Sequence, residues 1–393
     1  MRLKKTYRFI TLIALGILGH ACTEPFPIVT KDFESVLVVE ATLTDENIHH
    51  QVVLSRSYGL DGGAPKFESN AHVMIKDDSQ NTYDFQETLP GTYVSTQPFA
   101  AQPGRTYQLI VNTAEGRSYS STTEQLPQSV PIDNLYAEKE TNADNVEGVE
   151  FFVDSQDPTG NSKYYRYTYE ETYKIVAPYW SSQELLVVSD DPPELELVRR
   201  ETEARYCYKT QVSSNIVLAN TSGYVENKIA RFPVRFIPRD DYMLRNRYSI
   251  LVKQYTQSVA AHNYLKTLAE FSGSESPFTE SQPGFIDGNI TSDQDGDEKV
   301  VGFFEVSSLS TKRVFIDFRD IFEEGPYPKY PYDCQIDTLP SLERPSVYEA
   351  VKYENWIYVS SVPPPSTGYL MVYKPCGDCT FWADNQKPEF WVD

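Results

Sequence analysis

Between Ser35 and Ser120 apolar residues are gathered in short segments of three to seven residues, separated by stretches rich in Gly, Pro, Asn and Asp. Runs that short cannot make helices of useful length, and their punctuation is that of strands and turns. Ser35–Ala41 opens the series and Gln51–Ser55 follows after a polar loop. His72–Ile75 and Thr82–Phe85 flank the turn Asp77-Asp78-Ser79-Gln80-Asn81. Pro90-Gly91 leads into Thr92–Val94, Pro103-Gly104 into Tyr107–Val111, and Glu115-Gly116 into Ser118–Ser120. Seven short strands over about ninety residues predict an immunoglobulin-like β-sandwich spanning 34–127.

Prolines at 127 and 131 deny backbone donors to any strand crossing that point, which sets the expected boundary there. The roughly 260 residues that follow are too many for a second small sandwich and predict a larger β-rich domain over 131–393. Its candidate strands are 149–153, 164–173, 204–212, 231–237, 249–255, 300–306, 313–318, 356–360 and 368–373. One helix is predicted from about Ser258 to Phe271, where Ala261, Leu265, Leu268 and Phe271 recur at helical spacing and Gly273 follows as a stop signal. The fold class expected is mainly β (all-β or α+β), with one packed helix.

The first twenty-one residues are a leader. Arg2, Lys4, Lys5 and Arg8 precede the apolar run Phe9–Leu18, and small residues lead to Cys22. A run of ten apolar residues is too short to span a ~30 Å bilayer core as a helix. A cysteine at the cleavage point is the layout of a bacterial lipoprotein, in which the Cys22 thiol is acylated and becomes the N-terminus. Several acyl chains, at about 0.8 kcal/mol per buried CH₂, anchor firmly. Residues 22–33, with Pro25 and Pro27, then form a lipidated tether. Loss of the four basic leader residues takes the net charge from −21 to −25. A surface so acidic repels nucleic acid and disfavours direct docking on anionic lipid. Neutral, cationic or metal-bearing ligands and protein partners remain open to it.

Four cysteines remain in the exported part, Cys207, Cys334, Cys376 and Cys379. In an oxidising compartment they predict two disulfides, with three pairings open. Cys376-Gly-Asp-Cys379 also has the spacing of a redox pair or half a zinc site, but no βαβ pattern surrounds it and the other two cysteines stand alone. Tyr165, Tyr167 and Tyr169 share one strand face, with Tyr164, Arg166 and Thr168 on the other. The aromatic face is expected to pack the core, with a sugar- or peptide-binding platform as the alternative. Asp293, Asp295 and Asp297 resemble part of a calcium loop, yet glycine falls at the fourth place and Phe304 at the twelfth, so the EF-hand pattern fails. A solvated hairpin loop is the main expectation there, and a calcium site of another kind the alternative. His49, His50, His72 and His262 form no metal-ligand spacing, and no nucleophile, phosphate-loop or dinucleotide motif occurs. No catalytic residue is nominated and the chain is expected not to be an enzyme.

Taken in order, several pieces resemble the Bacteroidota outer-membrane lipoprotein family known as domain of unknown function 4249. They are the leader, Ser35–Glu40, Val53–Arg56, the helix with Tyr264 and Leu268, Ser276-Pro277-Phe278, Gly288-Asn289-Ile290, Val301–Phe304, the Cys376–Cys379 pair and Lys387–Trp391. The resemblance implies an outer-membrane lipoprotein, commonly encoded beside a TonB-dependent receptor, and implies no reaction. The expected function is that of a non-catalytic accessory which captures a ligand for the receptor or caps it, facing the cell exterior. The alternatives are a structural or adhesive surface protein and a hydrolase without a recognisable motif.

Overall fold

A computed structural model of the protein describes residues 35–58, 66–272, 285–340 and 347–393. Cys22, the tether and Ser276-Pro277-Phe278 lie outside the described residues. The first strands are β1 (Leu37–Thr44), β2 (Gln51–Arg56), β3 (Lys66–Phe67), β4 (His72–Asp77), β5 (Thr82–Leu89), β6 (Thr92–Ser95), β7 (Thr106–Asn112), β8 (Ser118–Ser121) and β9 (Glu124–Gln125). Alternation sends Leu37, Val39, Leu54, Val73, Leu109 and Tyr119 into one core while their neighbours face outward. The β4–β5 turn is held by Asp77, whose carboxylate accepts from the backbone of Ser79 and Asn81 at 2.9 Å. Gly91 turns β5 into β6 at φ +70°, and a Cβ there would lie 2.4 Å from the Leu54 carbonyl.

The next strands are β10 (Asn134–Thr141), β11 (Glu147–Gln156), β12 (Tyr164–Val176), β13 (Gln183–Asp190), β14 (Pro193–Arg199), β15 (Tyr206–Val212), β16 (Val217–Asn220), β17 (Lys228–Pro238) and β18 (Tyr248–Thr256). Helix α1 (Val259–Ser272), β19 (Ile290–Ser292), β20 (Val300–Ile316), β21 (Asp337–Leu339), β22 (Trp356–Ser361) and β23 (Tyr369–Tyr373) complete the main elements. The protein is mainly β, as expected.

β20 joins the two halves. Its seventeen residues read as two separate strands in the sequence, because Ser307-Ser308-Leu309-Ser310 interrupts them. Residues 300–307 pair in parallel with β1, Leu37 opposite Val300, and residues 308–316 pair antiparallel with β18, Thr256 opposite Ser308. Ser307 and Ser308 are buried, so the interruption lies inside the molecule. β19 adds to β8. The Asn289 side chain then donates to Phe304 O (3.0 Å) and accepts from Phe304 N (2.8 Å), which brings the far end of the first sheet back against β20. The first core therefore includes Ile290, Val300, Phe304 and Val306. That corrects the expectation of a sandwich confined to 34–127: the prolines at 127 and 131 divide the sequence, while the sheet runs on. The linker itself is tied down, with Val130 O accepting from Gln254 and Ile132 N donating to Ser310 Oγ.

In the second half, the β10-β11-β17 sheet and the β15-β12-β18-β20 sheet share one core. Tyr165, Tyr167 and Tyr169 lie within it, so the strand's aromatic face is core and not a binding platform. Its buried hydroxyls are satisfied: Tyr165 donates to Ser162 O (2.6 Å) and Tyr167 to Gln254 Oε1 (2.9 Å). Tyr248 donates to Glu171 (2.6 Å), which also pairs with Arg235 at 3.1 Å.

A small third cluster, centred on Leu185, Val347, Tyr358 and Met371, gathers the β13–β14 hairpin and the β21-β23-β22 sheet. Cys207 pairs with Cys379 and Cys334 with Cys376. The two cysteines of the close pair bond to different partners, which removes the redox and half-zinc readings of Cys376-Gly-Asp-Cys379.

Candidate functional site

Ser258 precedes helix α1, and its hydroxyl accepts from Ala261 N (3.2 Å), satisfying one free donor of the first turn. Ala261, Tyr264, Leu265 and Leu268 then fall along one side of the helix and line a groove of about 440 Å³. The opposite wall is the paired backbone of β1 and β20, from Val38 to Thr42 and from Val301 to Phe303. Two ring contacts pin the helix across the strands: Tyr264 against Phe303 (5.4 Å) and Tyr164 against His262 (5.0 Å).

The polar floor comes from Arg166 of β12 and Glu305 of β20. Arg166 Nη2 lies 2.9 Å from Glu305 Oε2, and the guanidinium rests 3.9 Å from the Tyr255 ring centroid. Glu305 also accepts from Gln257 Nε2 (2.7 Å) and from the Ser307 hydroxyl. The two side chains are only 15% and 7% exposed, so the pair is desolvated and its charges cancel. Arg166 Nε in the groove lining is buried with no partner among the described residues, as are Gln257 Oε1, Thr256 Oγ1, Ser308 Oγ and His262 Nδ1 outside that lining. Polar atoms left so are places where water or a polar ligand group binds. Burial, with Lys266 close by, pushes the His262 pKa down and keeps the imidazole neutral. Burial raises the pKa of Glu124, whose carboxylate accepts from Asn289 at 3.3 Å.

This arrangement can bind. Apolar walls with a few buried polar groups suit a ligand with an apolar body and a neutral polar end. Glu305 is engaged by three donors.

The residues singled out from sequence fall elsewhere. Asp293 accepts from Ser118 Oγ (2.7 Å) and Ser120 Oγ (2.5 Å), and Asp295 accepts from Asp297 N (3.0 Å) to close a turn. Glu298, one place on, takes Arg117 and the Tyr119 hydroxyl at 2.6 Å each. Among the described residues no three His, Cys, Asp or Glu side chains converge as a metal site would. His50 is buried with Nε2 2.9 Å from Phe99 O, and His49 Nδ1 is 2.6 Å from Ser95 O. Sequence reasoning missed Arg166, Glu305 and Thr168. Strand alternation grouped Arg166 with Thr168, but it says which residues share a face and not what covers that face. A charged residue inside a tyrosine-rich strand was the one available signal.

Residues 23–313 match the family model described as "Domain of unknown function (DUF4249)". The matched span begins directly after Cys22 and takes in every wall of the groove. No curated protein matches the chain.

Proposed function

We propose that this chain, which belongs to the DUF4249 family, is a non-catalytic, lipid-anchored outer-membrane accessory of a TonB-dependent receptor, and that the α1 groove holds the ligand it delivers. The observation that carries the reading is the groove itself, a partly enclosed cavity of about 440 Å³ with apolar walls over a buried Arg166–Glu305 pair. The leader ending on Cys22 supports the anchor. The fifteen Cα-to-Cα steps from Cys22 to Leu37 reach at most roughly 50 Å when extended, which keeps the groove close to the lipid surface and to a β-barrel beside it. Because Glu305 cancels the charge of Arg166 and Glu40 adds a further carboxylate to the wall, the groove favours a neutral, amphiphilic or cationic ligand over an anionic one.

A capping or adhesive role has its own support in the exposed aliphatic side chains Leu186 and Val188 on the β13–β14 hairpin. Ligand capture is tested by denaturing protein purified from its native membranes and identifying the released small molecules by mass spectrometry. A compound present with the wild type and missing from Leu268→Trp, whose indole fills the groove, is expected. Identical profiles from the two proteins would overturn the assignment.

A further inference from the structure

A second cavity, of about 610 Å³, opens at the other end of β20, and its lining reverses the charge of the chain. Lys174 of β12, Arg245 and Arg247 just ahead of β18, and Arg319 just after β20 face only Asp317 and Asp393. Two of these cations are matched: Lys174 Nζ lies 3.0 Å from Asp393 Oδ1 and Arg247 Nη1 2.5 Å from Asp317 Oδ2. The other two are not. Arg245 donates to Pro328 O and lies 5.0 Å from the Tyr330 ring centroid. Arg319 donates to the carbonyls of Phe322, Glu323 and Gly325 at 2.9 to 3.2 Å and lies 4.3 Å from the Tyr327 centroid. The acceptors of both guanidiniums are backbone carbonyls, not carboxylates. Arg247 Nε is buried and unpartnered there as well.

Carbonyl bonds and ring contacts fix a guanidinium in place without cancelling its charge. Two fixed, uncompensated guanidiniums on the walls of one cavity match an oxyanion of two negative charges, which arginine binds through paired N–H donors. The cavity is far larger than a bare oxyanion, and Phe318 and Tyr327 supply an apolar wall for a ring-sized body. We propose that this cleft binds a phosphate-bearing ligand, with the phosphate between Arg245 and Arg319 and the organic part against Phe318 and Tyr327. The site is separate from the α1 groove: Gly302 and Asp317 lie fifteen residues apart along β20 and just beyond it, up to roughly 50 Å at strand rise.

The phosphate can come from a soluble sugar phosphate or from a lipid headgroup, and the test separates them. The mature-length chain carrying Cys22→Ser, so that no acyl chain anchors it, is titrated calorimetrically with glucose 6-phosphate and with glucose. It is also sedimented with phosphatidylglycerol and with phosphatidylcholine vesicles. Saturable one-to-one binding of glucose 6-phosphate is expected, with no heat from glucose. Arg245→Gln and Arg319→Gln should each weaken it by about tenfold or more, the loss of a charge-assisted bond. Asp317→Asn, which frees Arg247, should tighten it several-fold. Binding confined to phosphatidylglycerol vesicles, with the same response to the variants, supports the phosphate chemistry and assigns the lipid as its source. No binding to either probe overturns the proposal, as does binding that neither arginine variant weakens. If an arginine variant loses its wild-type circular dichroism, Asp317→Asn decides, and unchanged affinity there overturns the proposal.

Discussion

Replacing Arg166 by Met keeps the length of the side chain and removes its charge, leaving Glu305 almost wholly buried with only Gln257 and Ser307 as donors. At 2.9 Å the attraction between the two charges is about 6 kcal/mol for an effective dielectric of 20, and desolvation of both groups offsets much of it. What the single substitution exposes is the uncompensated carboxylate, a loss of about 3–5 kcal/mol. Set against total stabilities of about 5–15 kcal/mol, that is a large fraction. Arg166→Met with Glu305→Leu removes both charges and should recover most of the loss, because a desolvated pair adds little net stability over an apolar one. The assay is urea unfolding of the Cys22→Ser chain, followed by tryptophan fluorescence and circular dichroism. At a slope of about 3 kcal/mol/M the single variant's midpoint should fall by roughly 1–1.7 M. Both probes should move together, because β20 is shared by the two halves and neither keeps its sheet without it. A single variant that loses less than about 1 kcal/mol, or a double variant no better than the single, would refute the reasoning.

Other outcomes follow from the same contacts. Gly288→Ala would place a Cβ 1.6 Å from Gly302 O and should cost several kcal/mol in thermal unfolding; Gly104→Ala, in open space at φ +77°, should cost only about 1 kcal/mol. Opening Cys207–Cys379, which spans 172 residues, should destabilise by roughly 5 kcal/mol, and opening Cys334–Cys376, which spans 42, by roughly 4 kcal/mol, so calorimetry of Cys→Ser pairs should rank them in that order. His50 and His262 have folded pKa values lowered by burial. Below about pH 6.5 the unfolded chain therefore binds more protons than the folded one, and stability should fall between pH 7 and 5. Glu124, raised by burial, opposes this in part. His50→Gln with His262→Gln should flatten the slope, and an unaltered slope would count against it. Asp393, held at about 2 by Lys387 and then Lys174, loses its contribution only as the pH falls below about 4.

Much of this was readable in the residues, wherever the signal was local. The Tyr165, Tyr167 and Tyr169 alternation located a core face, and Ala261, Leu265 and Leu268 located α1. Nothing local announces a parallel pairing between Leu37 and Val300, because each strand is already complete as a pattern. The serines at 307, 308 and 310 read as a loop because buried polar residues are rare, yet Ser307 and Ser308 are buried within β20, Ser307 donates to Glu305, and Ser310 accepts from Ile132 N. The β13–β14 hairpin was passed over because its strands alternate with charges and close on two prolines. The groove was invisible for a related reason: its walls come from five segments far apart in sequence, and only Arg166 looked out of place.

The most direct test of the central claim is native mass spectrometry of the tagged protein extracted in mild detergent from its own membranes. The account predicts a β-barrel bound one to one and a chain that starts at Cys22 carrying the added mass of acyl groups. A chain recovered alone from the aqueous fraction, with no mass added at Cys22, would contradict it.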